Sequence, residues 1–269
     1  MLGKLFRYEW KATGRILFPL YGAALLMGLV SALFFHFFPR FNWENFTFMR
    51  VAAVIAGVMF FCLIAASLGM SLVFSILRFK RNLLGNEGYL MNTLPVSTWH
   101  NVGAKLMVAV IFQWLSLLVA AASGILFIVV GSSQGLLAFF QELPIMFHQL
   151  FQYMTFDWWL LIIEGIILML LVTVDMNVMF YAAISVGHSA TDHKVLKSVA
   201  AYIGFYIAAQ LINSMALLPF LSFSVNMNQP FQMAMAHRGA LILCGIEVFY
   251  IVVYLIVTNF FLKRKLNLQ

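Results

Sequence analysis

Six long apolar runs separated by shorter polar stretches organise the sequence, at roughly 16–38, 51–77, 103–131, 158–186, 197–222 and 240–262. Each is long enough to cross a hydrocarbon core of ~30 Å at ~1.5 Å per residue, so each is expected to form a transmembrane helix. Ahead of the first run, Lys4, Arg7, Lys11 and Arg15 recur at steps of three and four and share one helical face. Leu2, Phe6 and Trp10 lie opposite, and Ile16 and Leu17 continue that side. This pattern predicts an N-terminal interfacial amphipathic helix over residues 1–15, with its basic face toward headgroups and its aromatic face dipping into the acyl boundary. Glu9 falls near the apolar side and there needs a partner.

Composition agrees with this pattern. The chain is 64% hydrophobic and 9% charged, with a mean hydropathy of +0.97, against about 25% charged residues in a soluble domain. A net charge of +7 would point a soluble protein toward nucleic acid. Here the placement of the charges matters more than their sum, and no nucleic-acid partner is expected. The N-terminal segment, the loop after span two (Arg78, Lys80, Arg81, Lys105), the turn after span four (Lys194, Lys197) and the tail (Lys263, Arg264, Lys265) all fall on one side. The other side holds Arg40, Arg50 and Arg238. Basic residues concentrate on the cytoplasmic side, so both termini are expected there. Residues 1–15 carry no small-residue cleavage site, so no cleaved signal peptide is expected. Cys62 and Cys244 sit inside apolar runs and imply no disulfide framework.

The loops are less polar than linkers usually are. Between Arg78 and Lys105, the stretch Glu87-Gly88-Tyr89-Leu90-Met91-Asn92-Thr93-Leu94-Pro95 has an apolar centre, opened by Gly85 and Gly88 and closed by Pro95. It reads as a helix of one or two turns, too short to hide its own apolar side. Lipid headgroups or a protein partner must then cover it. On the opposite side, residues 132–157 carry Phe139, Phe140, Phe147, Phe151 and Tyr153 with only Glu142 and Asp157 for charge. So much aromatic surface predicts a helix lying on or dipping into the outer leaflet. Residues 223–239 read as a smaller version of the same.

Candidate chemistry is sparse. Glu164, Asp175 and Glu247 fall within spans, where ionisable groups cost ~2.5–3.5 kcal/mol to insert and need a partner or a cavity. Counted from the outer ends of their runs, Glu164 and Glu247 are at similar depths. Asp175 is deeper, beside Thr173 and Asn177 and level with Gln210 of span five. The group is either a polar site or ion relay, or a set of hydrogen-bonded carboxyls that hold a bundle together. Ser67, Ser71 and Ser75 form a polar stripe better read as helix–helix hydrogen bonds and backbone back-bonding than as a solvated pathway. Ala65 with Gly69, and Ala120 with Gly124, are small pairs four residues apart that let helices approach. Met227, Met233, Met235 and His237, with Met146 and His148 in the other exterior loop, offer soft donors suited to Cu(I), but methionine is also what an adaptable surface helix uses, and no metal site is expected. His188 and His193 flank a short turn with no cysteine nearby, which suits a solvated loop better than zinc. The sequence contains no GxxxxGK[ST], HExxH or CxxC, so no catalytic role and no bound cofactor are expected in this chain.

The run Gly88-Tyr89-Leu90-Met91-Asn92-Thr93-Leu94-Pro95-Val96-Ser97, followed by Lys105-Leu106, resembles the first cytoplasmic loop of bacterial ABC type-2 transporter permeases, in particular the small single-domain exporter permeases of Firmicutes. Lys4 to Lys11 is similar to that group's N-terminal amphipathic helix, and Ser185 to His188 with His193 to Ser198 is similar to its second cytoplasmic turn. The resemblance implies an all-α permease domain spanning 1–269 in the bacterial plasma membrane. It further implies a second permease subunit, identical or not, and separate ABC ATPase subunits that bind ATP and Mg. Glu87, Tyr89, Leu90, Met91 and Leu94 would then form the coupling helix seated on the ATPase, with His193 and Lys194 as a second contact. One departure is the long aromatic segment between spans three and four, because exporters of this type carry their outer re-entrant element between spans five and six. Aromatic and methionine content in the outer half suggests a hydrophobic or amphipathic cargo such as an antimicrobial peptide or lipid. Two readings compete with this one: an ion-coupled secondary transporter using Glu164, Asp175 and Glu247, and a non-transporting membrane scaffold or sensor.

Overall fold

A computed structural model describes residues 2–37, 47–84, 98–131, 135–190, 192–224 and 233–264. Among them there is no strand. The chain runs as α1 (Leu2–Phe37), α2 (Thr47–Phe79) with a π-helical turn (Lys80–Leu84), α3 (Thr98–Gly131), α4 (Gly135–Tyr153), α5 (Phe156–His188), α6 (Lys194–Ser224) and α7 (Met233–Arg264). Six of these, all but α4, are long and apolar enough to cross a membrane. Their outward positions, such as Leu26, Phe61, Ile128, Ile163, Met215 and Ile256, are exposed large hydrophobics. An apolar surface of that extent is stable against lipid and not against water. The fold is that of a multi-pass, all-helical membrane protein.

The helices overrun the apolar runs, and two boundaries differ in ways that matter. First, no separate interfacial helix ends at residue 15, because α1 continues without interruption to Phe37, through Pro19. No proline or turn cluster stands at the expected break, so helical propagation carries on. Lys4, Arg7, Lys11 and Arg15 are exposed as the periodicity predicts, and Phe6 is half-buried. Trp10, however, packs on protein: its ring lies 4.7 Å from Phe112 and 6.5 Å from Phe18. Glu9 is 3% exposed. Second, α7 begins at Met233, seven residues before the apolar run at 240, because Met-Ala-Met-Ala is as good a helix former as the run itself.

The described residues fall into two compact units. One comprises Arg7–Phe74 and Ile111–Tyr153. Its core is built on Leu17, Tyr21, Ala24, Phe60 and Phe112. Tyr21 donates to the Phe112 carbonyl at 3.0 Å and sits 2.6 Å from Ser116 Oγ, and Ser31 donates to the Ala56 carbonyl at 2.9 Å. Gly28 is the close-approach position, since a Cβ there would meet Phe60 at 3.0 Å and Ser123 O at 3.3 Å. Gly69 and Gly124, the small residues singled out by spacing, face open space within this chain. Ser67 and Ser71 bond back to the carbonyls of Ile64 and Leu68. In α4, Phe140, Ile145, Met146, Phe147, Leu150 and Phe151 are all exposed. The segment between spans three and four is therefore helical as expected, and its apolar side chains are left largely uncovered by the chain.

The other unit comprises Met1–Phe6, Ser75–Val110 and Met154–Gln269. Here α5 packs along both α6 and α7. α5 and α6 form a hairpin closed by residues 189–193, where Ser189 N and Ala190 N bond to the carbonyls of Val186 and Gly187. His193 takes φ 53° and restarts the helix, its carbonyl accepting from Lys197 N. Gly187 allows the two helices to meet. A Cβ at that position would overlap the Ser198 backbone, whose Cα lies 2.6 Å from the point it would occupy.

Candidate functional site

Two constellations in this second unit could carry function. The first surrounds the stems of the loop after span two. Phe79 and Leu83 on the incoming stem and Val102 on the outgoing one share a fully buried cluster with Tyr181 and Ile184 of α5 and Leu262 of α7. The Phe79 ring stacks on Tyr181 at 4.0 Å and 6°. Beneath it, Ser75 Oγ donates to Asn177 Oδ1 at 2.7 Å, and because its one proton is thereby used, Tyr181 OH is the donor in the 2.7 Å contact with Ser75. Asn177 Nδ2 passes the chain on to the Thr173 carbonyl at 2.7 Å. Buried hydroxyls and amides that are all satisfied fix one geometry, since any displacement strands a donor. Both stems of the loop and the base of the 189–193 turn thus share one apolar core, with polar bonds fixing the incoming stem to α5.

Lys105 belongs to this region in an unexpected way. From sequence it fences the loop as an exposed cation, yet it lies in α3 and is only 5% exposed. Charge counting could not see this, because a long aliphatic stem lets lysine be buried and still keep a polar head satisfied. Lys194 begins α6 half-buried, and His193 is exposed in the turn. Glu87, Tyr89, Leu90, Met91 and Leu94 lie outside the described residues, as does the short helix predicted for them.

The second constellation follows the α5–α7 seam. His237 Nδ1 donates to Glu164 Oε2 at 2.9 Å, with the side chains 18% and 13% exposed. Eleven residues further along α5 and ten along α7, Asp175 and Glu247 come within electrostatic reach of one another and of Tyr250 and Tyr254. This constant offset means that α5 and α7 run parallel and in register. Sequence reading set Glu247 level with Glu164, but the early start of α7 moves it down to Asp175 instead. It also weighed His237 only as a soft metal donor and not as a partner of Glu164, because the apolar run excludes it but the helix includes it. Asp175 Oδ1, Glu247 Oε2 and His237 Nε2 are buried without a hydrogen-bond partner. Gln210 does not join them. It is exposed on α6 and bonds to Tyr206 OH at 3.1 Å. Tyr250 OH instead bonds α7 to α6, at 3.2 Å from the Ala209 carbonyl and 3.1 Å from Asn213 Oδ1, beside the contact of the Phe205 and Tyr254 rings at 5.2 Å. Among the described residues, no group of three or more His, Cys, Asp or Glu is placed to hold a metal ion. No protein-family model, curated protein or solved structure matches the chain.

Proposed function

We propose that this chain is the transmembrane permease subunit of an ATP-driven ABC exporter. It would sit in a bacterial plasma membrane with both termini in the cytoplasm, paired with a second permease subunit and seated on separate ATPase subunits that bind ATP and Mg. Residues 87–95 act as the coupling helix and residues 193–194 as the second contact. The observation that carries the reading is the shared core beneath the loop. A segment pushed by a partner can move membrane helices only if its stems are fixed to them, and Phe79, Leu83 and Val102 are packed with Tyr181, Ile184 and Leu262. The apolar centre of the loop itself supplies the docking surface. The cargo is hydrophobic or amphipathic, in keeping with the exposed aromatic face of α4.

The partner is what the experiment must find. The tagged chain is extracted from its native membranes, and an ATPase subunit is expected to co-purify with it. Leu90→Asp and Leu94→Asp should each reduce that recovery at least tenfold while leaving the chain in the membrane. Full recovery in both variants contradicts the coupling role. The unpaired Asp175 and Glu247 oxygens favour one second reading, an ion-coupled transporter. The same purified chain discriminates: transport in liposomes without ATPase or ATP, abolished by Asp175→Asn, replaces the first reading with the second.

A further inference from the structure

Leu196, Val199, Ile203, Tyr206 and Gln210 follow one another along α6 at steps of three, four, three and four. That alternation is the spacing by which one helix presents a straight seam to another. All five are exposed. Four of them suit lipid, but Gln210 does not. It lies sixteen residues from the start of α6 and fourteen from its end, near the middle of a membrane-length apolar helix. Its Nε2 donates one hydrogen to Tyr206 OH at 3.1 Å. A carboxamide has a second N–H and two acceptor lone pairs on Oε1, and among the described residues these have no partner. Hydrocarbon offers none, and an unmet polar group at that depth is costly. The glutamine is also held in place. Tyr206 stacks on Tyr202 at 6.4 Å and 17°, and Tyr202 on Phe180 of α5 at 4.5 Å and 10°. The Tyr206 hydroxyl is thereby a fixed acceptor, and Gln210 is ordered before any partner arrives.

We infer that this seam joins α6 to α6 of a second copy of the chain, as a parallel pair in which the two Gln210 carboxamides bond to each other. Register and chemistry together select that occupant. Copies inserted the same way are parallel, so a twofold axis along the membrane normal brings each residue of α6 opposite itself at the same depth. In a parallel pair a single polar residue on the seam faces its own mate and fixes register and pairing. A carboxamide is both donor and acceptor, so two of them complete one another. Bonds of this kind drive association where lipid leaves no hydrophobic difference to exploit. An unrelated helix would need a polar group of its own at this depth and angle, whereas a copy carries one by construction. The inference needs only that the chain spans a membrane. It specifies a like subunit where the proposed function leaves the second permease identical or not, and it stands without an ATPase.

Disulfide trapping in native membranes tests the seam. In a background of Cys62→Ser and Cys244→Ser, mild oxidation of Ile203→Cys should give a covalent dimer of the chain. Its yield should be at least five times that of Ala208→Cys, which is exposed at similar depth on another face of α6. Adding Gln210→Leu to Ile203→Cys should cut the yield at least fivefold, and adding Gln210→Asn should keep at least half of it. Leucine at an exposed position suits lipid, so Gln210→Leu should melt with the wild-type monomer in detergent. Melting below it would mean that the carboxamide serves its own chain and overturns the assignment. Equal yields at 203 and 208 signify random collision and overturn the seam, as does a yield that Gln210→Leu leaves unchanged. A cross-link from Ile203→Cys to a protein of another mass gives the face to a different partner and removes the second copy. Recovery of an ATPase bears on the coupling reading alone, and the seam holds or fails on the cross-links whichever subunits co-purify.

Discussion

At the scale of single residues, Gly187 shows how little room the turn leaves. Glycine costs a helix ~0.5–1 kcal/mol relative to alanine, and an isolated Gly→Ala change should therefore stabilise. That expectation holds for Gly69, where nothing lies within 4 Å of an added Cβ. At Gly187 the same methyl would fall on the Ser198 backbone, which cannot swing aside as a side chain can. Overpacking of this kind costs ~1–3 kcal/mol. Thermal unfolding in detergent, followed by helical circular dichroism, should show Gly187→Ala melting several degrees below wild type and Gly69→Ala at or above it. The two glycines also mark what spacing can and cannot tell. Ala65 with Gly69, Ala24 with Gly28 and Ala183 with Gly187 all have the pattern of a helix contact, yet an added Cβ meets protein at Gly28 and Gly187 and open space at Gly69. Small residues permit contact, but the facing surface decides where it occurs.

At the scale of elements, the six crossing helices were legible because a span must satisfy its backbone internally and face lipid with apolar side chains. Their ends were less legible, since no apolar signal marks a helix that continues past the hydrocarbon region. This is why the aromatic face of α1 was assigned to lipid when Trp10 packs on Phe112, and why His237 was counted as a loop residue when it bonds to Glu164 from within α7. The α4 helix was legible from its aromatic content alone. Its uncovered face makes a direct prediction, tested with a nitroxide on Phe147→Cys in a background of Cys62→Ser and Cys244→Ser. Relaxation should be accelerated by oxygen, which concentrates in lipid, and much less by a water-soluble nickel chelate. Stronger relaxation by nickel would place α4 in water and remove the membrane-surface reading.

At the scale of the whole molecule, sequence and structure supply different parts of the functional reading. The segment proposed to meet a partner is visible only as an apolar peptide on a basic side of the chain. Its anchorage, from Phe79 and Val102 onto Tyr181 and Leu262, joins residues up to 183 positions apart, and no local pattern encodes that. The polar chain from Tyr181 through Ser75 to Asn177 was half legible: the serine stripe was read as helix–helix hydrogen bonds and back-bonding, and Ser75 makes the first while Ser67 and Ser71 make the second, but its partners Asn177 and Tyr181 could not be named from spacing.

The parallel register of α5 and α7 has a mechanical consequence. Clasped near one end by Glu164 and His237 and near the other by the aromatic and aliphatic plug around Tyr181 and Leu262, the pair has no free length along which to slip. It must travel as a single beam through any working cycle, and whatever shearing that cycle demands has to occur along some other boundary. Stapling the two helices with a short thiol-reactive bridge across Glu164→Cys and His237→Cys, in the cysteine-free background, should therefore leave the transport activity proposed above at no less than half its unbridged rate. Arrest by that staple would mean the beam splits during turnover.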